Sequence, residues 1–140
     1  MAQEDFDYWF SSANRLFETF YFHLEKKYFS EAAFELHQVT ERLYNGILLV
    51  FTRYKPKTHD LEDLRSLANS VDSRLVKAFS FGTFEERKLF KLLRKAYVDA
   101  RYNPNFQVTE EELETLALRV QELKNIGEEL CKEKINSFIG

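Results

Sequence analysis

The sequence predicts an all-α fold, an antiparallel up-down bundle of about five helices formed by residues 1–140 as a single domain. Three observations predict it. Only four glycines and two prolines interrupt 140 residues, and no Gly- or Ser-rich linker occurs, which favours long helices joined by short loops. Apolar residues recur at three- and four-residue spacing through most of the chain. No segment shows the two-residue alternation of an exposed sheet.

Each helix can be justified in turn. The first spans Asp5 to about Tyr28, with Phe6, Trp9, Phe10, Ala13, Leu16, Phe17, Phe20, Tyr21 and Leu24 at helical spacing. Ser30 is the expected N-cap of the second, with Glu31 in its first turn. That helix runs to about Tyr54 on a stripe of Ala33, Leu36, Val39, Leu43, Ile47 and Val50, and Pro56 ends it. Thr58 or Asp60 caps a short third helix through "LEDLRSLA". "NSVDSRLVKAFSFG" reads as a loop holding a short helical turn and closed by Gly82. Thr83 with Glu86 and Thr109 with Glu112 are capping boxes. They open a fourth helix over Phe84 to Tyr102 and a fifth from Glu110 towards Phe138.

Composition narrows the function classes. Aromatic residues make up 16% of the chain, including fourteen Phe and seven Tyr, so much ring area must be buried in a core or a partner. A net charge of −3 argues against a surface that coats nucleic acid wholesale, while a local basic patch remains open. Cys131 is the single cysteine, which excludes an intramolecular disulfide and a cysteine zinc cage and points to a reducing, cytoplasmic setting. It reads as a small buried hydrophobe. The richest apolar run, "GILLVF", is far too short to span a bilayer. The start, "MAQEDFDYWF", lacks the layout of a signal peptide. Three histidines without a carboxylate grouping at ligand spacing predict no metal site, and no cofactor is expected.

Two matched stretches carry the functional expectation. "RYKP" begins at Arg53 and "RYNP" at Arg101, and each places one of the two prolines after a helix end. In an up-down bundle the second and fourth helices run the same way, which would gather Arg53, Tyr54, Lys55, Lys57, His59, Arg101 and Tyr102 at one end. Helix N-termini at that end would add backbone N–H groups that favour phosphate. Each motif also has an ordinary explanation: Arg suits a helix C-terminus, Tyr covers the open end, and Pro is a stop.

Other patterns are weaker. Arg53 and His59 fit the loose Arg-x(4–6)-His spacing of metal-independent ribonucleases, with Arg holding the phosphate and His moving the proton. Gln38, Glu41 and Asn45 share a face of the second helix beside His37, either as a solvated face or as a hydrogen-bonding surface. Arg87, Lys88, Lys91, Arg94, Lys95 and Arg101 make the fourth helix basic, an ordinary solvent face or a groove for polyphosphate or RNA. There is no Gly-rich phosphate loop and no nucleophile triad.

Taken in order, "AAFELHQVTERLYNGILLVF", "KPKTHDLEDL" and "AYVDARYNPNF" resemble the HEPN family, the higher eukaryotes and prokaryotes nucleotide-binding domain. The resemblance rests on Gln38, Glu41 and Arg42, on Thr58, His59, Asp60 and Leu61, and on Ala100, Arg101 and Tyr102, and covers about residues 6 to 130. Asn45 stands where many members carry Lys, and no His follows Arg101, so the likeness is to the non-ribonuclease branch. It implies a helical homodimer that binds a nucleotide, ATP or GTP, or works beside a nucleotidyltransferase domain. Arg101, Tyr102, His59 and Lys57 would contact phosphate and base, and Gln38 and Glu41 would add polar contacts. The alternatives are a ribonuclease toxin using Arg53 and His59, and a structural dimerisation domain.

Overall fold

The computed structural model describes residues 1–139, and among them it is all α, with no strand. The helices are α1 (Ala2–Glu25), α2 (Phe29–Thr52), α3 (Leu61–Val71), α4 (Phe84–Tyr102) and α5 (Glu110–Ile139), with a short 3₁₀ helix, Ser73–Lys77, before α4. On α1, Phe6, Phe10, Ala13, Phe17, Phe20 and Leu24 are buried at spacings of four and three, one continuous apolar face. Trp9 and Leu16 are only half-buried, and Tyr21 is exposed.

Helix α2 is the hub. It packs against α1, α3, α4 and α5, and accordingly buries residues on almost every side, Leu36, Leu43, Tyr44 and Ile47 among them. Small residues let its neighbours approach. A Cβ on Gly46 would sit 2.9 Å from the Cβ of Trp9 on α1, and one on Gly127 would sit 2.8 Å from the Ile47 side chain. Cys131 is fully buried, and burial pushes its thiol up to about 12, so it carries no thiolate near neutral pH.

Several boundaries move for local reasons. Lys27 adopts a left-handed φ of 63° and closes α1 tightly, with Lys27 N–H donating to the Leu24 carbonyl and Tyr28 N–H to that of His23. Helix α2 therefore begins at Phe29 behind Tyr28, and Ser30 is not its cap. Arg53, at φ 61°, ends α2 at Thr52 before Pro56 is reached. Asp60 is the cap of α3, accepting from Glu62 N–H at 3.0 Å, while Thr58 supports it from the preceding turn. Both capping boxes form: Thr83 with Glu86 and Thr109 with Glu112 each exchange two hydrogen bonds.

One expectation about direction is overturned. Helix α4 runs against α2: Tyr97 meets His37, and Arg101, one turn further along α4, meets Phe34, one turn back on α2. The cause is the segment 53–60. Instead of turning directly into a third rod, it doubles back along α2 until His59 reaches Glu41. Glu41 and Thr52 are about 16 Å apart along the helix axis, well within reach of eight extended residues. With the return already made before α3 begins, α4 comes back in the opposite sense to α2.

Candidate functional site

The ring of Tyr97 on α4 collects most of the polar groups that sequence reasoning singled out. Phe34, His37, Gln38 and Glu41 occupy i, i+3, i+4 and i+7 of α2 and so share one face. His59, delivered by the returning segment, stacks on Tyr97 at 4.8 Å with the planes 11° apart. Its Nδ1 lies 2.7 Å from Oε1 of Glu41. A carboxylate at that distance holds the proton on Nδ1, which leaves Nε2 as an open acceptor on a ring whose side chain is 61% exposed.

Arg101 sits one turn after Tyr97, and its Nε donates to the Tyr97 carbonyl at 2.7 Å. Its guanidinium lies 4.5 Å from the Tyr97 ring centre, 4.7 Å from Phe34 and 5.0 Å from Tyr102. Three rings thus hold it in place. No carboxylate among the described residues forms an ion pair with it. Arg94 is different. It donates to both carboxylate oxygens of Asp60, at 2.7 and 2.8 Å, and this hydrogen bonding holds the Asp60 carboxyl below its usual range. Arg94 therefore ties α4 to the start of α3 and is not free for a ligand.

Two open clefts flank this column. One, of about 550 Å³, is lined by His59, Arg94, Lys95, Tyr97 and Asp99. The other, of about 380 Å³, is lined by His23, Glu31, Phe34, Glu35 and Arg101. In the second, His23 Nδ1 lies 2.7 Å from Glu35 Oε1. Arg101 lines the second cleft, and its guanidinium touches the ring of Tyr97, which lines the first.

Beneath the column lies His37, fully buried. Gln38 Nε2 donates to its Nδ1 at 3.2 Å, so the proton of the neutral ring is on Nε2, which has no hydrogen-bond partner. Burial pushes this imidazole down to about 4, and the positive charge of Arg101 acts in the same direction. The His59 backbone favours protonation but does not reach Nε2 in hydrogen-bond geometry.

The predicted site residues are only partly assembled. His59, Glu41 and Arg101 converge on Tyr97, Gln38 joins through His37, and Tyr102 covers one side of Arg101 while remaining 72% exposed. Lys57 is exposed on the returning segment. Arg53 stands apart. It lines a small cleft with Met1, Ala2 and Leu49, and its guanidinium lies 5.9 Å from the ring centre of Phe138. The two Arg-Tyr-x-Pro ends are therefore at opposite ends of α2, and the single basic end disappears. Arg53 and His59 face different neighbours, so the ribonuclease-like pair is not assembled either. Glu41 and Asn45 are buried, not part of a solvated face. Tyr97 and Phe34 were missed by sequence reasoning, which noted His37 only as a neighbour of the polar stripe, although Tyr97 at i−4 from Arg101 was a visible cue.

Among the described residues no group of three or more His, Cys, Asp and Glu side chains could hold a metal ion. No helix of the described residues is long and apolar enough to cross a membrane. The sequence model of the HEPN domain matches residues 6–130. The chain belongs to the HEPN domain family. At the general level this HEPN domain is a module of the nucleotide-binding and ribonuclease type. No curated protein matches the chain.

Proposed function

We propose that this HEPN domain binds a nucleotide, ATP or GTP, in the clefts beside Arg101 and Tyr97, and that it does so as a homodimer serving a nucleotidyltransferase partner. One observation carries the ligand part: a guanidinium fixed among three rings, with no carboxylate of the described residues in ion-pair reach, on the wall of an open cleft. A cation already held in place loses little freedom when it takes a phosphate, and the exposed Tyr102 ring beside it suits a base. His59 offers Nε2 as an acceptor for a ribose hydroxyl or an amino group. Calorimetric titration of ATP and GTP into wild type and Arg101→Ala tests it. Heat is expected with wild type and an affinity loss of about tenfold or more in the variant. Silence from both nucleotides at roughly millimolar concentration would refute the ligand half.

A second function is favoured by the His59–Glu41 pair alone. An imidazole oriented by a carboxylate, with Nε2 open to water, has the form of a general base, as a metal-independent ribonuclease requires. Cleavage of RNA that vanishes in His59→Ala and is reduced in Glu41→Gln would replace the binding reading with this one.

A further inference from the structure

Arg42 on α2 differs from the other arginines that touch rings. Arg65 sets its Nε on the Phe79 carbonyl at 2.8 Å, and Arg101 sets its own on the Tyr97 carbonyl at 2.7 Å. Arg42 is half-buried, yet its Nε is sealed from water and has no hydrogen-bond partner. No carboxylate of the described residues forms an ion pair with it. Glu41, its neighbour in sequence, is engaged by His59. Asn45, at i+3 on the same side of α2, is buried with its Oδ1 unpartnered too. Unmet donors and acceptors of this kind are costly and rare.

What holds Arg42 is a ring on α1. Its guanidinium lies 5.8 Å from the centre of Trp9, and Lys55 Nζ lies 6.0 Å from the same ring. Lys55 is the third residue of the first Arg-Tyr-x-Pro stretch, the one left without a role when the shared basic end disappeared. Pro56 after it is buried, and a proline confines its predecessor to extended backbone, so Lys55 is exposed on a pinned piece of chain. An aromatic face orients a cation without neutralising it. Two like charges brought to one ring repel, and no carboxylate of the described residues pairs with either. An anion between them would remove that repulsion and fill the open donor of Arg42.

We infer that Trp9, Arg42 and Lys55 form a second anion site, separate from the Tyr97 column, that takes a phosphate group of a phosphate chain. A planar guanidinium with a fixed fork of donors and a mobile ammonium approach from two elements, and a tetrahedral phosphate has oxygens for both. The connection between α2 and α3 joins this site to the column. Lys55 lies at Trp9 and His59 at Tyr97, no more than about 14 Å of chain apart, with exposed Lys57 between them. A chain of phosphates, free or carried by a nucleic-acid strand, has cationic groups to follow along that connection.

Trp9 is the only tryptophan of the chain, so its indole N–H gives a single signal in a nitrogen–proton correlation spectrum of the full chain. The probes are inorganic pyrophosphate and a uridine trinucleotide, each titrated at constant ionic strength. The indole signal of wild type is expected to move saturably at roughly millimolar probe. Arg42→Gln and Lys55→Gln should each weaken that response by about fivefold or more. Lys55 is exposed and its loss leaves packing intact, while the rest of the same spectrum shows whether Arg42→Gln is folded. Tighter binding of pyrophosphate identifies a free phosphate chain as the ligand, and tighter binding of the trinucleotide a nucleic-acid strand. An indole signal that stays still with both probes, or that moves undiminished in either folded variant, overturns the site. Arg101→Ala keeps this claim apart from the nucleotide reading, because it should leave the indole response to pyrophosphate unchanged.

Discussion

His37 and His59 both touch the ring of Tyr97, yet water reaches only one of them. His59 carries its proton on Nδ1 against Glu41, while His37 is sealed under the column with an unpartnered Nε2. The buried ring makes a pH prediction. Its pKa is about 4 in the fold and about 6.5 in an unfolded chain, so above neutrality both states are uncharged and pH has no effect through it. As pH falls from about 6.5 towards 4, the unfolded chain takes up a proton that the native state refuses, and stability declines. Urea unfolding of wild type and His37→Gln at about pH 7.5 and 4.5 measures the effect. Wild type should lose about 2 kcal/mol more than the variant over that interval. Equal losses would show that His37 is not held neutral. At this scale the sequence was partly legible: it marked His59, Glu41 and Arg101, but nothing in the one-dimensional pattern distinguishes a buried histidine from an exposed one.

Helices are where the sequence spoke most clearly. The run of Phe6, Phe10, Ala13, Phe17, Phe20 and Leu24 and the two Thr-x-x-Glu boxes are local patterns with local physics, and all are realised. Thr83→Ala removes an acceptor from the first turn of α4, where Glu86 is also held by Ser80 at 2.6 Å, and should cost about 1 kcal/mol in chemical denaturation. Ser30 failed as a cap because the left-handed turn at Lys27 had already started α2. Close approach of helices follows a different logic. Gly46→Ala gains helix propensity but presses a methyl against the Cβ of Trp9, which cannot move without α1. The net loss should be about 1–2 kcal/mol. Gly127→Ala meets the flexible end of Ile47 and should change the same denaturation midpoint much less. Equal effects would show that α1 yields as easily as one side chain.

The arrangement of whole helices decides which of the marked residues can cooperate. Because α4 opposes α2, Arg101 joins the Phe34 and Tyr97 rings while Arg53 faces Phe138 and the chain's first residues. Arg53→Ala should therefore leave nucleotide affinity unchanged where Arg101→Ala weakens it, in the same calorimetric titration. A matching loss in both variants would reinstate a shared basic end. The same arrangement turned a stripe expected to face water or a ligand into a buried seam, since the returning segment 53–60 brings His59 onto Glu41.

By itself, then, the amino-acid order determined that this chain is helical, where most of its helices start and stop, which residues form the apolar faces, and that it carries HEPN motifs. Those properties depend on neighbours within one or two turns. Helix direction, the burial of His37 and Asn45, and the meeting of Arg101 with Tyr97 and Phe34 were decided by tertiary structure alone. They depend on how an eight-residue connection is laid down, and two routes of equal length and similar composition would place the following helix in opposite senses.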